Sequence, residues 1–318
     1  MKIVITDWQT MSCKDEISYK CFENFGNVFA YPLTALEETA MRIGDAEILL
    51  CNKTPITADV IKQCSNLRYI GVLATGYNNI DMAAAADAGI TVCNAGTYST
   101  DAVAQYVFAQ ILYHYNKIHL YDESVRNGDW IKAPAFSYFP FPAYELSGKT
   151  LAVIGYGSIG KKVAKIGDAF GMNVIISTRT KPENCTFKLV SIQEAFSKAD
   201  VLTIHTPLTP KTKGLVSREN IALMKPSALL INSSRGPVVD EYALADALKK
   251  GMIAGAAVDV LEKEPMDSES PLKDIPNCTI TPHIAWSPIE TRQRLLDIAY
   301  CNLKAYLQGK PQNVVSIY

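Results

Sequence analysis

A glycine-rich turn, Val153-Ile-Gly-Tyr-Gly-Ser-Ile-Gly160, constrains the fold of this chain more than any other stretch. It follows an apolar run, Lys149-Thr-Leu-Ala-Val-Ile154, that reads as a buried strand, and it opens a helical segment over Ile159–Phe170. A strand, this G-x-G-x-x-G spacing and a helix together form the setting in which a dinucleotide is held. Gly155 permits the tight turn, Gly157 lets the backbone approach a pyrophosphate, and Gly160 allows close packing of helix on strand. The helix N-terminus offers N–H groups and the positive end of its dipole to the phosphates. A tight strand-to-helix turn without a ligand is the plainer alternative.

About twenty residues beyond such a turn an Asp or Glu usually bonds the ribose hydroxyls of NAD. Here the second strand ends Asn173-Val-Ile-Ile-Ser-Thr-Arg-Thr180, with Thr178 and Arg179 where the acid would stand. A guanidinium forks onto a phosphate, and the hydroxyls of Thr178 and Thr180 donate as well. The stretch therefore favours NADP, with NAD still possible if Arg179 is a solvated loop residue stacking on adenine.

Strand-like and helical runs alternate from end to end, which predicts an α/β fold with parallel sheets. In the first hundred residues strands are expected at Lys2–Thr6, Asn27–Ala30, Ala46–Cys51, Arg68–Leu73 and Ile90–Asn94. Helices are expected from Thr34-Ala-Leu-Glu37, which has capping-box spacing, and over Ala58–Gln63 and Asp81–Ala88. A second series begins at Lys149 and continues through Val174–Ser177, Val201–His205, Ala228–Asn232, Ala254–Val258 and Thr279–Thr281. Between the two series lie a long helical stretch, Thr100–Arg126, and an aromatic, proline-rich segment, Phe136-Ser-Tyr-Phe-Pro-Phe-Pro-Ala-Tyr144. That segment either packs on its own domain or reaches a second subunit. A last helix, about Pro288 to Gln308, returns to the first domain or caps the second.

The 318 residues suffice for two domains, and 48% hydrophobic with 20% charged residues is ordinary globular composition. A net charge of −1 gives no footprint for nucleic acid or an anionic membrane, and no apolar run is long enough to span a bilayer. The N-terminus, Met1-Lys-Ile-Val-Ile-Thr-Asp7, reads as a first strand and not as a signal peptide. Eight cysteines without C-x-x-C pairs or neighbouring histidines argue against a metal site and a disulfide framework, and for reduced thiols in a cytoplasm.

Groups suited to hydride chemistry follow later strands: Arg235, Glu264 and His283. Ligands of open α/β sheets sit beyond the carboxyl ends of the strands, where all three fall. Of the four histidines, His114 and His119 read as surface or interface residues of the long helix, leaving His205 and His283 for proton transfer. His205 reads better as a core histidine bonded to a backbone carbonyl.

These segments resemble the D-isomer-specific 2-hydroxyacid dehydrogenases over nearly the whole chain. The likeness rests on Gly155–Gly160, His205-Thr-Pro-Leu-Thr209, Met224-Lys-Pro226, Asn232-Ser-Ser-Arg-Gly236, Asp259, Glu264-Pro265 and Thr281-Pro-His-Ile284, in that order. Leu73-Ala-Thr-Gly-Tyr-Asn78, Tyr98-Ser-Thr-Asp101 and His283-Ile-Ala-Trp286 are most similar to the glycerate dehydrogenase, or hydroxypyruvate reductase, branch. The resemblance implies two doubly wound domains. A Rossmann cofactor domain over residues 99–284 is inserted in a flavodoxin-like substrate domain of residues 1–98 plus 285–318, with the active site in the cleft. It also implies a homodimer built on the helix near 100–126 and the loop after it.

The resemblance further implies roles. His283 protonates the keto oxygen, Glu264 holds its imidazole and favours the charged form, and Arg235 binds the substrate carboxylate and carbonyl. Thr75 and Gly76 offer backbone N–H groups to the carboxylate, and Trp286 limits substrate size or serves packing alone. Ser158, Ile159, Thr178, Ser233, Ser234 and Asp259 match cofactor-contacting positions, and Thr206, Pro207, Thr100 and Ala285 line the cofactor. Asp259 has a plainer reading as the cap of a strand end. The expected activity is reduction of a small 2-keto acid, hydroxypyruvate or glyoxylate, to a D-2-hydroxy acid such as D-glycerate. The alternatives are a D-lactate-type or broad 2-keto acid reductase, or a nicotinamide-sensing, corepressor-like binding protein.

Overall fold

A computed structural model of the chain describes residues 1–315. Contacts divide it into two compact units. One is Met1–Ser99 with the segment from Ser287 onward, and the other is Thr100–Trp286. The crossovers thus fall after residues 99 and 286, beside the 98 and 284 implied by the resemblance.

The first unit is built on β1 (Lys2–Ile5), β2 (Asn27–Ala30), β3 (Ile48–Cys51), β4 (Tyr69–Val72) and β5 (Thr91–Cys93), all parallel, in the order β2-β1-β3-β4-β5. This is the flavodoxin-like order. β3 and β4 are buried at every position, as inner parallel strands covered on both faces must be, whereas β2 at the edge alternates exposed and half-buried residues. Helices α1 (Leu36–Ile43), α2 (Ala58–Gln63) and α3 (Met82–Asp87) lie between the strands. Thr57 and Asp81 cap α2 and α3 by accepting the N–H groups of Val60 and Ala84. The capping box expected at Thr34 does not form, because α1 starts behind Ala35 with no side-chain cap. Thr34 instead donates to the Thr6 carbonyl at 2.5 Å and accepts from Arg42 at 2.8 Å. A tertiary partner has displaced the local one.

In the second unit the helical stretch over 100–126 is two helices, α4 (Thr100–Asn116) and α5 (Ile118–Arg126), broken where Lys117 takes a left-handed φ of 50°. The sheet contains β6 (Thr150–Ile154), β7 (Asn173–Ser177), β8 (Lys188–Leu189), β9 (Val201–Ile204), β10 (Leu229–Asn232), β11 (Gly255–Val258) and β12 (Cys278–Ile280). Its order is β12-β11-β10-β9-β6-β7-β8, entirely parallel. Helices α6 (Ser158–Ala169), α7 (Ile192–Lys198), α8 (Arg218–Ile221) and α9 (Glu241–Lys249) connect the strands. β8, two exposed residues long, was not anticipated from sequence. Two apolar clusters cover the faces of this sheet. One gathers Phe196, Leu202, Leu230 and Leu244, and the other Val107, Ile111, Val153 and Val163.

The strand order reverses between β6 and β9, and in open α/β sheets ligands sit beyond the carboxyl ends of the strands at such a reversal. Gly155 sits there with φ 94°, and a Cβ on it would overlap the His205 carbonyl. One on Gly160 would overlap the Gly155 carbonyl, so α6 runs against the turn as only glycine permits. The last helix, α10 (Ile289–Leu307), belongs to the first unit, where Arg292 donates to the Met11 carbonyl at 2.7 Å and Arg294 to that of Tyr98 at 2.9 Å. Among the described residues no helix is long and apolar enough to cross a membrane.

Candidate active site

Six loops of the second unit follow the carboxyl ends of β6, β7, β9, β10, β11 and β12, and they carry the site residues expected in that unit apart from Ser158, Ile159 and Gly160 in the first turn of α6 and Thr100, the first residue of α4. After β6, Gly157 precedes the N-terminus of α6, with Ser158 and Ile159 in its first turn. A Cβ on Gly157 would meet nothing within 4 Å, so open space lies before the free N–H groups. After β9 and β10, the Thr206 Oγ1 and Ser233 Oγ atoms are buried without a hydrogen-bond partner. Buried hydroxyls are nearly always paired. Two orphans beside a phosphate turn fit a polar ligand laid across these strand ends, and Pro207 and Ser234 flank them. After β7, Thr178 is half-buried and Arg179 exposed.

The loop after β10 is fixed by Asn232, fully buried, whose Oδ1 accepts from the Ser234 N–H at 3.0 Å and Oγ at 2.8 Å, while its Nδ2 donates to the Arg235 carbonyl at 3.0 Å. Arg235 is half-buried and donates one guanidinium N–H to the Ser234 carbonyl at 2.7 Å. Gly236 then lies against the backbone of Leu261 and Glu262, where a Cβ would overlap both. That contact brings the Arg235 loop onto the loop carrying Glu264. Neither Asn232 nor Gly236 was singled out on its own from the sequence, although both stand inside the quoted Asn232–Gly236 motif.

Glu264 accepts from the Leu261 N–H at 3.1 Å through Oε1, and its Oε2 lies 2.7 Å from His283 Nδ1. The side chains retain 38% and 27% exposure, so solvent reaches the pair. With Nδ1 occupied, Nε2 is the imidazole nitrogen left to exchange a proton. His283 has φ 55°, costly for a residue with a Cβ, on the order of 1–3 kcal/mol. Asp259 offsets that cost. Its carbonyl takes the His283 N–H at 2.8 Å, and its carboxylate takes the N–H groups of Ile284 and Ala285 at 2.8 Å each and the Thr281 hydroxyl at 2.6 Å. Only 1% exposed, the carboxyl has its pKa raised by burial, against the opposing pull of those hydrogen bonds. Its oxygens thus hold the histidine loop. Trp286, at the end of that loop, is half-buried.

The other histidines are placed differently. His205 bonds the Thr203 hydroxyl at 2.9 Å, not a backbone carbonyl, and burial pushes its pKa down to about 3 although part of the residue still meets solvent. An imidazole held neutral in this way stands outside proton transfer at ordinary pH. His114, expected at the surface or an interface, is half-buried: it bonds Thr279 at 3.0 Å, and burial lowers its pKa to about 4.

Thr75 and Gly76 follow β4 in the first unit. The Thr75 carbonyl accepts from Asn94 Nδ2 at 2.7 Å, and its hydroxyl donates to the Gly96 carbonyl. Asn302 of α10 donates to the Asn94 carbonyl at 2.9 Å and accepts from Asn313 at 2.8 Å. This chain of asparagines went unseen in the sequence because its members are distant along it.

The family model described as "D-isomer specific 2-hydroxyacid dehydrogenase, NAD binding domain" matches residues 108–285. The chain is 42% identical to the hydroxypyruvate reductase of Blautia hydrogenotrophica, over 99% of this chain and 100% of the relative. It is 43% identical to the glycerate dehydrogenase of Methylorubrum extorquens, over 88% of each. Among solved structures, an acyclic imino acid reductase in complex with NADPH and D-Arg superposes with a TM-score of 0.85 at 32% identity, over 99% of this chain and 100% of that one. The chain belongs to the D-isomer-specific 2-hydroxyacid dehydrogenases and is an oxidoreductase acting on a CH–OH group.

Proposed function

We propose that the protein reduces a small 2-keto acid, hydroxypyruvate or glyoxylate, to the D-2-hydroxy acid, with NADPH preferred to NADH. The observation that carries this reading is the 2.7 Å pair of Glu264 and His283 on a loop braced by Asp259, beside the loop of Arg235. The bound nicotinamide supplies the hydride. The residues that would hold it are Gly155, Gly157, Ser158, Ile159 and Gly160 at the pyrophosphate, with Thr206, Ser233, Ser234, Pro207, Thr100, Asp259 and Ala285 along its length. His283, oriented by Glu264 through Nδ1, donates from Nε2 to the keto oxygen as negative charge develops there. Arg235 binds the substrate carboxylate and draws the carbonyl into line, and its guanidinium stabilises the developing alkoxide. Thr75 and Gly76 add backbone N–H groups for the carboxylate, and Trp286 restricts bulk.

NADPH preference rests on Thr178 and the exposed Arg179 after β7, where the guanidinium forks onto a 2′-phosphate and no carboxylate repels it. We assign the second unit to the cofactor and the first to the substrate. A homodimer is supported by α5 and the segment after it, which leave Ile131 at 89%, Phe136 at 91% and Phe139 at 84% exposure, an apolar surface that a second copy would cover. Eight free thiols suit a cytoplasmic, reducing setting.

Steady-state rates on hydroxypyruvate, glyoxylate, pyruvate and phenylpyruvate test the substrate class. The two smallest polar keto acids are expected to lead, and equal activity on phenylpyruvate would contradict a restricted pocket.

A further inference from the structure

Helix α4 sends two side chains toward the histidine loop. Gln110, 8% exposed, donates through Nε2 to the Tyr106 hydroxyl at 3.0 Å. That hydroxyl lies 2.6 Å from Thr281 Oγ1, and Thr281 Oγ1 donates to Asp259 Oδ1 at 2.6 Å. The direction of each proton follows from the ends. The Gln110 amide nitrogen only donates, and the Thr281 proton is committed to a carboxylate, so the Tyr106 O–H must point at Thr281. Burial pushes the Tyr106 pKa up to about 12, which keeps the phenol a donor throughout the neutral range.

Every proton of this row therefore runs toward Asp259. At its far end Asp259 grips the backbone on both sides of the site: the His283 N–H on its carbonyl, and the Ile284 and Ala285 N–H groups on its carboxylate. Those three amides enclose a residue whose φ of 55° is not self-sustaining. A carboxylate free to turn could not keep both amides at 2.8 Å. The Thr281 hydroxyl fixes its plane, and Tyr106 and Gln110 fix the hydroxyl.

We infer that Tyr106, oriented by Gln110, is a positioning residue for the reaction. Through Thr281 and Asp259 it sets where the His283 imidazole stands when the proton moves. The inference rests on the reading of His283 as the proton donor.

Tyr106→Phe keeps the ring and removes the one O–H. In hydroxypyruvate reduction kcat is expected to fall by about 10-fold, short of the ~100-fold that follows a 1 Å misplacement of a reacting group. The KM for NADPH should change by less than kcat falls, because Asp259 and Ala285 are only two of the many residues proposed to hold the cofactor. The primary isotope effect with NADPH deuterated at the transferred position should rise, since the chemical step becomes more limiting. In folded Tyr106→Phe, a lower kcat with the isotope effect unchanged would overturn the inference, as would wild-type kcat and isotope effect together. If Tyr106→Phe does not fold, Gln110→Met is read in its place, with the same pattern expected at smaller amplitude and the same two results overturning it. His283→Gln, assayed alongside, separates the two readings. It should cost at least ~100-fold as the loss of a general acid. Wild-type turnover in His283→Gln would remove the reading of His283 itself, whereas an inactive His283→Gln beside an unaffected Tyr106→Phe would remove the relay alone.

Discussion

Gly236→Ala is the perturbation for which the structure gives the clearest magnitude. The glycine holds the Arg235 loop against the Leu261–Glu262 backbone, and both sides of the contact are main chain. A Cβ would stand 2.5 Å from the Glu262 nitrogen and nearer still to the Leu261 carbonyl, whereas ordinary contact begins at 3.4 Å. The nitrogen alone demands about 0.9 Å of separation (3.4 − 2.5), and the nearer carbonyl demands more, so the two loops must part by at least ~1 Å. One carries Arg235, and the other carries Glu264, the partner of His283. A displacement of ~1 Å between groups that must converge on one carbonyl costs about 100-fold in rate, equivalent to ~2.7 kcal/mol of transition-state stabilisation. Overpacking of this kind also costs stability, about 1–3 kcal/mol. At ~2–4 °C per kcal/mol for a domain of this size, the Tm should drop by roughly 2–12 °C. The assay is kcat/KM for hydroxypyruvate at a temperature where the variant is folded, with NADPH binding followed separately by its fluorescence. Binding is expected to survive while turnover collapses. A Gly236→Ala enzyme with kcat/KM within about twofold of wild type would refute the reasoning, because the two loops would then tolerate separation.

Three further outcomes are expected. Glu264→Gln replaces a charge-assisted hydrogen bond with a neutral one at a site 38% exposed, so kcat should fall by only about fivefold, near 1 kcal/mol, measured by steady-state kinetics. Asn94→Ala removes the 2.7 Å bond to the Thr75 carbonyl and the acceptor for the Gly96 N–H at 3.2 Å. The KM for the keto acid should rise by about fivefold with that for NADPH unchanged. Acid should destabilise the fold through His114 and His205, whose imidazoles are held neutral with pKa values pushed from 6.5 to about 4 and about 3. The unfolded chain takes up these protons first. Their contribution is therefore complete above pH 6.5 and is lost as the pH falls through 6.5 toward 4 for His114 and toward 3 for His205, at up to ~1.4 kcal/mol per unit for each histidine. Urea unfolding at pH 7 and pH 5 measures the loss, and His114→Gln should flatten it.

The sheets and the phosphate turn were legible because their signals are local. A run such as Ala228–Ile231 is apolar throughout, as an inner parallel strand must be, and the Gly155–Gly160 spacing joins a strand to a helix within a few residues. Arg235, Glu264 and His283 were legible as members of motifs in a fixed order. The features missed depend on partners far along the chain. Tyr106 meets Thr281 across 175 positions and Asn302 meets Asn94 across 208, so neither side chain carries a mark in its own neighbourhood. Thr34 shows the reverse failure, where a valid capping pattern lost its residue to the Thr6 carbonyl. His114 read as a surface or interface residue because helix periodicity alone does not tell that Thr279 and Gly255 lie against its ring. The break at Lys117 lacks the glycine or proline that usually announces one.

The most direct test of the account is a comparison of kcat/KM for hydroxypyruvate reduction by the wild-type protein with saturating NADPH and with saturating NADH. The account predicts turnover with a preference for NADPH of about tenfold or more, a difference of ~1.4 kcal/mol that Arg179 supplies at the 2′-phosphate. Equal rates or a preference for NADH would contradict the role of Thr178 and Arg179, and absence of turnover with either cofactor would contradict the proposed reaction.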